Sequence, residues 1–169
     1  NIDSPQADKS AIRFAVRGIS RADASFAASK VYAALLESRM RARVPSIFAE
    51  NVVVRSVEHT LPGVFTIGFN ASKNDIGNGP GKIEANELVA KALADPITEA
   101  EFNAAKSTVA TEWAKVTNVT HWLDADTFKF ADPANQGRLT DAVTIDAVRA
   151  FAERVAKAPK AVVLVNSSK

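Results

Sequence analysis

The chain has 169 residues, 47% of them hydrophobic, with 21 basic and 19 acidic residues and a formal net charge of +2. This length supports one domain with a substantial core, and the near-balanced charge lacks the basic, aromatic-interleaved surface of a nucleic-acid binder, even around the Arg39–Arg43 run. The absence of cysteine excludes disulfides and thiolate metal sites, and no run approaches the ~18 apolar residues that a membrane span needs.

Residues 1–10 are polar and read as a linker or frayed start, leaving residues 11–169 as the domain. The chain opens at Asn1 without methionine, which fits a processed end or, the reading preferred here, a piece of a longer polypeptide. Ile12, Phe14 and Val16 alternate with Arg13, Ala15 and Arg17, the pattern of a half-buried strand that Gly18 ends. A helix is predicted from about Asp23 to Met40, with Ala24, Ala27, Val31, Leu35 and Ser38 on one face and Val44-Pro45 closing it.

Residues 47–58 are rich in β-formers, Leu61-Pro62-Gly63 supplies a turn, and Phe65, Ile67 and Phe69 alternate with polar or small residues. Together these predict a long antiparallel hairpin. Asn74 to Gly81 reads as a flexible connection, followed by a helix from about Lys82 to Ala94.

Pro96 to Phe102 then writes a complete helix start. Thr98 can cap orphan backbone N–H groups, Glu101 can bond back to the cap, and Ile97 and Phe102 form a hydrophobic staple. The stripe Phe102, Ala105, Val109, Trp113, Val116 carries this helix onward. A further helical stretch is predicted from about His121 to Phe130, then a break at Ala131-Asp132-Pro133.

Val143 and Val148 staple a last helix capped at Thr144, with Ile145, Val148, Ala152 and Val155 on one stripe and Pro159 as its stop. The unbroken apolar run Ala161 to Val165 predicts a strand flanked on both sides, near the centre of the sheet. The order predicts an α+β fold, an antiparallel or mixed sheet with helices packed on one face.

Chemistry is sparse. The two histidines, His59 and His121, lie in separate elements, whereas a two-imidazole zinc site on a helix needs them one turn apart. No Gly-x-Ser-x-Gly elbow occurs, and Gly77-Asn78-Gly79-Pro80-Gly81 lacks the Gly-Lys-Ser/Thr ending of a phosphate loop. That loop leaves open a small-molecule binding module as a minor reading. Trp122 is a candidate contact residue; Trp113 sits on its helix stripe as core.

Three places carry a family resemblance across about Ala11 to Val165. They are the opening strand with its helix ending Leu35-Leu36-Glu37-Ser38-Arg39-Met40, the Leu61-Pro62-Gly63-Val64-Phe65-Thr66-Ile67 hairpin, and the paired starts at Ile97-Thr98-Glu99-Ala100-Glu101 and Val143-Thr144-Ile145-Asp146-Ala147-Val148. In this order they resemble the second, non-zinc half of a peptidase family M16 unit (insulinase, mitochondrial processing peptidase and pitrilysin relatives).

The resemblance implies the LuxS/MPP-like metallohydrolase fold. It implies no metal or cofactor in this chain, zinc being expected in a homologous zinc-bearing M16 domain or subunit as partner, and an extended peptide as substrate. Catalytic relatives bring an Arg and a Tyr of this half against the substrate backbone. Arg43 stands where that Arg would be, and Phe48 is the nearest aromatic, offset by one residue and without the hydroxyl. The alternative for these two is a solvated helix-end arginine and a core phenylalanine. The implied function is the non-catalytic wall of a peptide chamber; the alternative is an M16-derived structural or assembly subunit. Bacterial relatives that are periplasmic tilt the expected location towards the periplasm or secretion.

Overall fold

Alternation along the strands decides which face of the sheet is buried. The computed structural model describes residues 2–4, 9–129 and 138–167. Its strands are β1 (Ile2–Ser4), β2 (Ser10–Arg17), β3 (Val52–Val57), β4 (Val64–Ala71) and β5 (Ala161–Ser167), in the order β1-β5-β2-β4-β3. Only β1 with β5 is parallel, so the sheet is mixed. Ile12, Phe14 and Val16 of β2, Val52 and Val54 of β3, and Phe65, Ile67 and Phe69 of β4 are buried on one face. Arg13, Arg55, Thr66 and Asn70 stand on the other, more exposed one.

The helices are α1 (Phe26–Arg43), α2 (Ala85–Ala94), α3 (Glu99–Trp113), α4 (Asn118–Phe128) and α5 (Ile145–Lys157). The expected α+β arrangement, helices against one face of the sheet, is what forms. A helix held between a sheet and other helices needs apolar residues on most of its circumference, and α1 buries Phe26, Val31, Tyr32, Leu35, Leu36 and Met40. Its buried surface is wider than the single predicted stripe, and Ala24 and Ser38 of that stripe are exposed. Tyr32 stacks on Phe65 at 5.8 Å, and Phe151 of α5 meets both rings edge-on at 6.0 and 5.8 Å. These offset and edge geometries suit the ring quadrupoles and lock α1 and α5 to β4.

Several boundaries differ from expectation. The Asp23 carboxylate accepts the Ser25 N–H at 2.8 Å, making a turn that delays α1 to Phe26. Residues 47–51, expected as strand, fall in a 3-10 helix (Ser46–Asn51) in which the Pro45 carbonyl accepts the Phe48 N–H at 2.8 Å. Local turn closure after the fixed φ of Pro45 outweighs the β-propensity of Ile47 and Phe48. The 74–81 connection is tied back by hydrogen bonds from Gly77 N–H to Ile83 O and from Ile83 N–H to Asp75 O. Phe130 and Ala131-Asp132-Pro133 lie outside the described residues.

The capped starts form as read. At α3 the Thr98 hydroxyl accepts the Glu101 N–H while the Glu101 carboxylate accepts the Thr98 N–H at 3.0 Å, with Ile97 and Phe102 buried beside them. Thr144 caps α5, with Val143 and Val148 buried.

The last strand is flanked on both sides as expected, by β1 and β2, but it is not the central one. The centre of the sheet is β2; β5 lies second from one edge. Residues 2–4, assigned to the linker, form β1, which pairs with Val165–Ser167; among the described residues none pairs with Ala161–Leu164 on that side. Val162 and Val163 are 51% and 38% exposed. Helices packing on one face account for Val163, which shares the open face with Arg13, while Val162, opposite Phe14 on the helix side, is exposed as well.

Gly68 on β4 pairs with Arg13, and a Cβ there would stand 2.0 Å from the Ile12 carbonyl oxygen. Gly68→Ala must push β2 and β4 apart. The expected outcome is a loss of about 2–3 kcal/mol of stability, measured by urea unfolding.

Candidate functional site

The C-terminal half of α1 organises the most elaborate polar cluster. Arg39 follows Leu35 and Leu36 on the buried side of the helix, so its side chain is carried inward and is only 5% exposed. Its guanidinium meets both Glu101 carboxylate oxygens, Nε to Oε1 at 2.6 Å and Nη2 to Oε2 at 2.9 Å. The remaining donors reach the carbonyls of Ala92 (3.2 Å), Asp95 (2.9 Å) and Pro96 (2.7 Å). Arg39 thereby satisfies the orphan carbonyls at the end of α2 and the capping carboxylate of α3 together. The Arg39 hydrogen bonds, with those of Thr98, pull the Glu101 carboxyl down to about 2, against a burial that works the other way. The same bonding to Glu101 raises Arg39 despite its burial.

Arg43 sits one turn further on, where α1 ends. Its guanidinium donates to the Asp95 carboxylate and to the Arg39 carbonyl at 3.3 Å, and its side chain is 29% exposed. It borders an open cleft of about 510 Å³ shared with Pro45, Ile83, Glu87, Leu88 and Lys91. Glu87 and Lys91 pair across one helical turn at 2.6 Å, which lowers the first and raises the second. Phe48, the other residue named from sequence, is buried in the core cluster and is not among the cleft's lining residues. Arg43 is therefore placed at a surface and Phe48 beneath one. The cleft offers cations and carboxylates that can grip a polar backbone, without a nucleophile paired to a base.

Two further cations of the helical layer are engaged, Arg21 buried and Lys30 partly so. Arg21 lies over the Phe26 ring at 3.7 Å with the Asp124 carboxylate 3.7 Å away, and burial lowers its pKa. Lys30 donates to the Ser56 carbonyl at 2.6 Å and to Glu58 at 2.5 Å. Neither was singled out in sequence. For Arg39 the signal was its place inside the run Tyr32, Leu35, Leu36, Met40, which a residue-type rule assigns to solvent.

His59 is exposed in the loop between β3 and β4, His121 is buried in α4, and among the described residues no three His, Cys, Asp or Glu side chains cluster as metal ligands. Trp122, the candidate contact residue, is 64% exposed on α4. No described helix is long and apolar enough to cross a membrane.

No family model matches the sequence, and no curated protein matches it. Solved structures do. The first half of the periplasmic protease PqqL from Escherichia coli aligns over 99% of this chain and 41% of that one, with TM-score 0.71 and 14% identity. A chain of complex III2 from Candida albicans aligns over 98% and 44%, with TM-score 0.69 and 18% identity. An M16-like peptidase from Alicyclobacillus acidocaldarius aligns over 96% and 42%, with TM-score 0.64 and 12% identity. At these identities the likeness establishes a shared fold, the M16-like one, and the chain spans less than half the length of each of these three.

The clamp yields a stability prediction. Breaking a fully buried charge pair costs about 3–5 kcal/mol; because Glu101 is about one-third exposed, Arg39→Ala is expected to cost about 2–3 kcal/mol after discounting for screening. Arg39→Lys should recover little of it, since a point charge cannot replace the fork. Glu101 titrates lower in the folded protein than the ordinary glutamate value of 4.5. Its contribution is therefore complete above about pH 4.5 and is lost as pH falls through about 2. Urea unfolding of wild type and Glu101→Gln should differ most above pH 5 and converge towards pH 2.

Proposed function

We propose that this chain is the non-catalytic half of an M16-type zinc metallopeptidase, forming one wall of a chamber that encloses an extended peptide. The zinc and the water-activating carboxylate belong to a separate homologous half. One observation carries the reading: nearly the whole chain aligns with less than half of M16-like peptidase chains, and among its described residues no three His, Cys, Asp or Glu side chains cluster as metal ligands. Within that reading Arg43, partly exposed at the mouth of its cleft, is the residue that meets a substrate carbonyl, and Phe48 supports the wall from behind.

A second reading is an M16-derived structural or assembly subunit without peptidase function. Two observations favour it. Arg43 is already held by Asp95, and Phe48 presents neither a hydroxyl nor an exposed face. The likeness to a chain of complex III2 is compatible with it.

The chain alone should purify with no stoichiometric zinc by elemental analysis and leave unfolded peptides uncut; tight zinc or robust turnover would overturn both readings. With a zinc-bearing half added, the first reading expects cleavage, and Arg43→Ala should lower kcat/KM by roughly tenfold or more, the worth of one charged hydrogen bond. Restored cleavage that is indifferent to Arg43→Ala would remove Arg43 from the substrate, and no restoration at all would favour the structural subunit.

A further inference from the structure

The connection ahead of α2 holds the one asparagine of the sequence that precedes a glycine, Asn78-Gly79. Main-chain hydrogen bonds frame it. Gly77 N–H donates to the Ile83 carbonyl at 3.2 Å, Lys82 N–H to the Gly79 carbonyl at 3.1 Å, and Ile83 N–H to the Asp75 carbonyl at 2.7 Å. Within that frame Asn78 is exposed. Neither its carboxamide nor the Gly79 N–H has a hydrogen-bond partner among the described residues. Gly79 stands at φ 132°, and a Cβ built there would meet nothing within 4 Å. An amide nitrogen that is neither bonded nor crowded can turn onto the side chain before it, and glycine has the conformational freedom to do so.

Asn70, Asn74 and Asn103 are held differently. Asn70 accepts from Arg13 at 2.6 Å within β4. The N–H after Asn74 is committed to the Ser72 carbonyl at 3.0 Å. Asn103 lies within α3, whose ladder occupies the next N–H.

The chemistry follows from this placement. The Gly79 nitrogen, its proton lost to hydroxide, attacks the carbonyl carbon of the Asn78 side chain. A C–N bond forms, the bond to the side-chain nitrogen breaks, and ammonia leaves with a proton from water. Water then opens the cyclic succinimide at either carbonyl, giving aspartate or isoaspartate. Asparagine and water become an acid and ammonia, with no change of oxidation state. The product is a carboxylate at neutral pH, and it lowers the formal net charge of +2 by one unit.

That charge arises beside the Arg43 cleft, which Lys82, Ile83 and Glu84 also line. Lys82 folds back over Gly77, whose Cβ position stands 3.4 Å from the Lys82 Cδ and 3.9 Å from its Nζ. Residue 78 is next along the chain, about 3.8 Å away from Cα to Cα, so the flexible Lys82 ammonium can meet a carboxylate there. Such a pair takes a cation from the lining of the cleft. We propose that Asn78 is a site of spontaneous deamidation, and that its product carboxylate pairs with Lys82 and alters the charge of the Arg43 cleft as the protein ages. The inference is independent of what occupies the cleft.

The test ages the folded chain at mildly alkaline pH and follows acidic isoforms by isoelectric focusing of the intact protein. Peptide mass spectrometry and enzymatic methyl-labelling of isoaspartate then map the site. Expected results are conversion at Asn78 ahead of every other asparagine, rising with pH, at a rate within a fewfold of that in a free peptide of residues 75–82. Asn78→Gln should abolish it, since the longer side chain must close a larger ring, and Gly79→Ala should slow it severalfold. Lys82 should react more slowly with acetic anhydride in aged protein and in Asn78→Asp than in wild type, because a paired ammonium is less nucleophilic. Circular dichroism checks that the variants fold; if Gly79→Ala does not, Asn78→Gln carries the control.

Conversion of the free peptide without conversion of Asn78 in the folded chain overturns the inference, as does an acidic isoform that maps to another asparagine. Unchanged reactivity of Lys82 in Asn78→Asp overturns the pairing and, with it, the effect on the cleft.

Discussion

One guanidinium holds the corner on which the helical layer turns. Helix α2 ends at Ala94 and α3 begins at Glu99, with Pro96 between them, so a set of unpaired carbonyls and a set of unpaired N–H groups face each other across a short bend. Thr98 and Glu101 satisfy the amide side. Arg39, reaching from α1, satisfies the carbonyl side and joins the two by gripping Glu101. Three helices are thereby fixed to one another through a planar fork whose geometry tolerates little rotation. The apolar packing of Phe102, Ala105 and Val109 supplies area, but area alone is non-directional. The charged fork supplies the angle.

Much of the fold was legible because its signals are local. A cap three residues ahead of a carboxylate, a staple pair and strict alternation each act over fewer than ten residues, and α3, α5, β2 and the β3–β4 hairpin follow from them. The misplacements have a common cause. Whether Phe48 becomes strand or turn, whether Ala161–Val165 is central or near an edge, and which carbonyls Arg39 takes depend on what lies opposite in space. Arg39 illustrates this most directly. The helix-dipole argument for cations near a C-terminus applies to the end of α1, yet the carbonyls that Arg39 takes belong to α2 and the bend after it, some fifty residues further on.

The candidate site was less legible than the fold for a related reason. Arg43 was found through a family likeness and lies at an open cleft; its engagement by Asp95 follows from the same corner that Arg39 builds. Phe48 was named by its distance along the chain, and distance along the chain says little about direction once a 3-10 turn intervenes. Chemistry that depends on donors converging from several elements leaves no periodic trace. What can be read is the opposite case: two isolated histidines and no cysteine already limited the metal chemistry that any fold could assemble.

The incomplete cover of β5 carries a liability of its own. Its first six residues, Ala161 to Asn166, are rich in valine and free of charge and proline, the composition from which steric zippers are made. On the side of β5 away from β2, no described residue pairs with Ala161–Leu164, and Lys160, just ahead of the strand, is the nearest gatekeeper. Kept in isolation at high concentration, such an edge is a template for stacking one molecule on the next. Whatever shields it in the cell also protects the protein from amyloid-like growth.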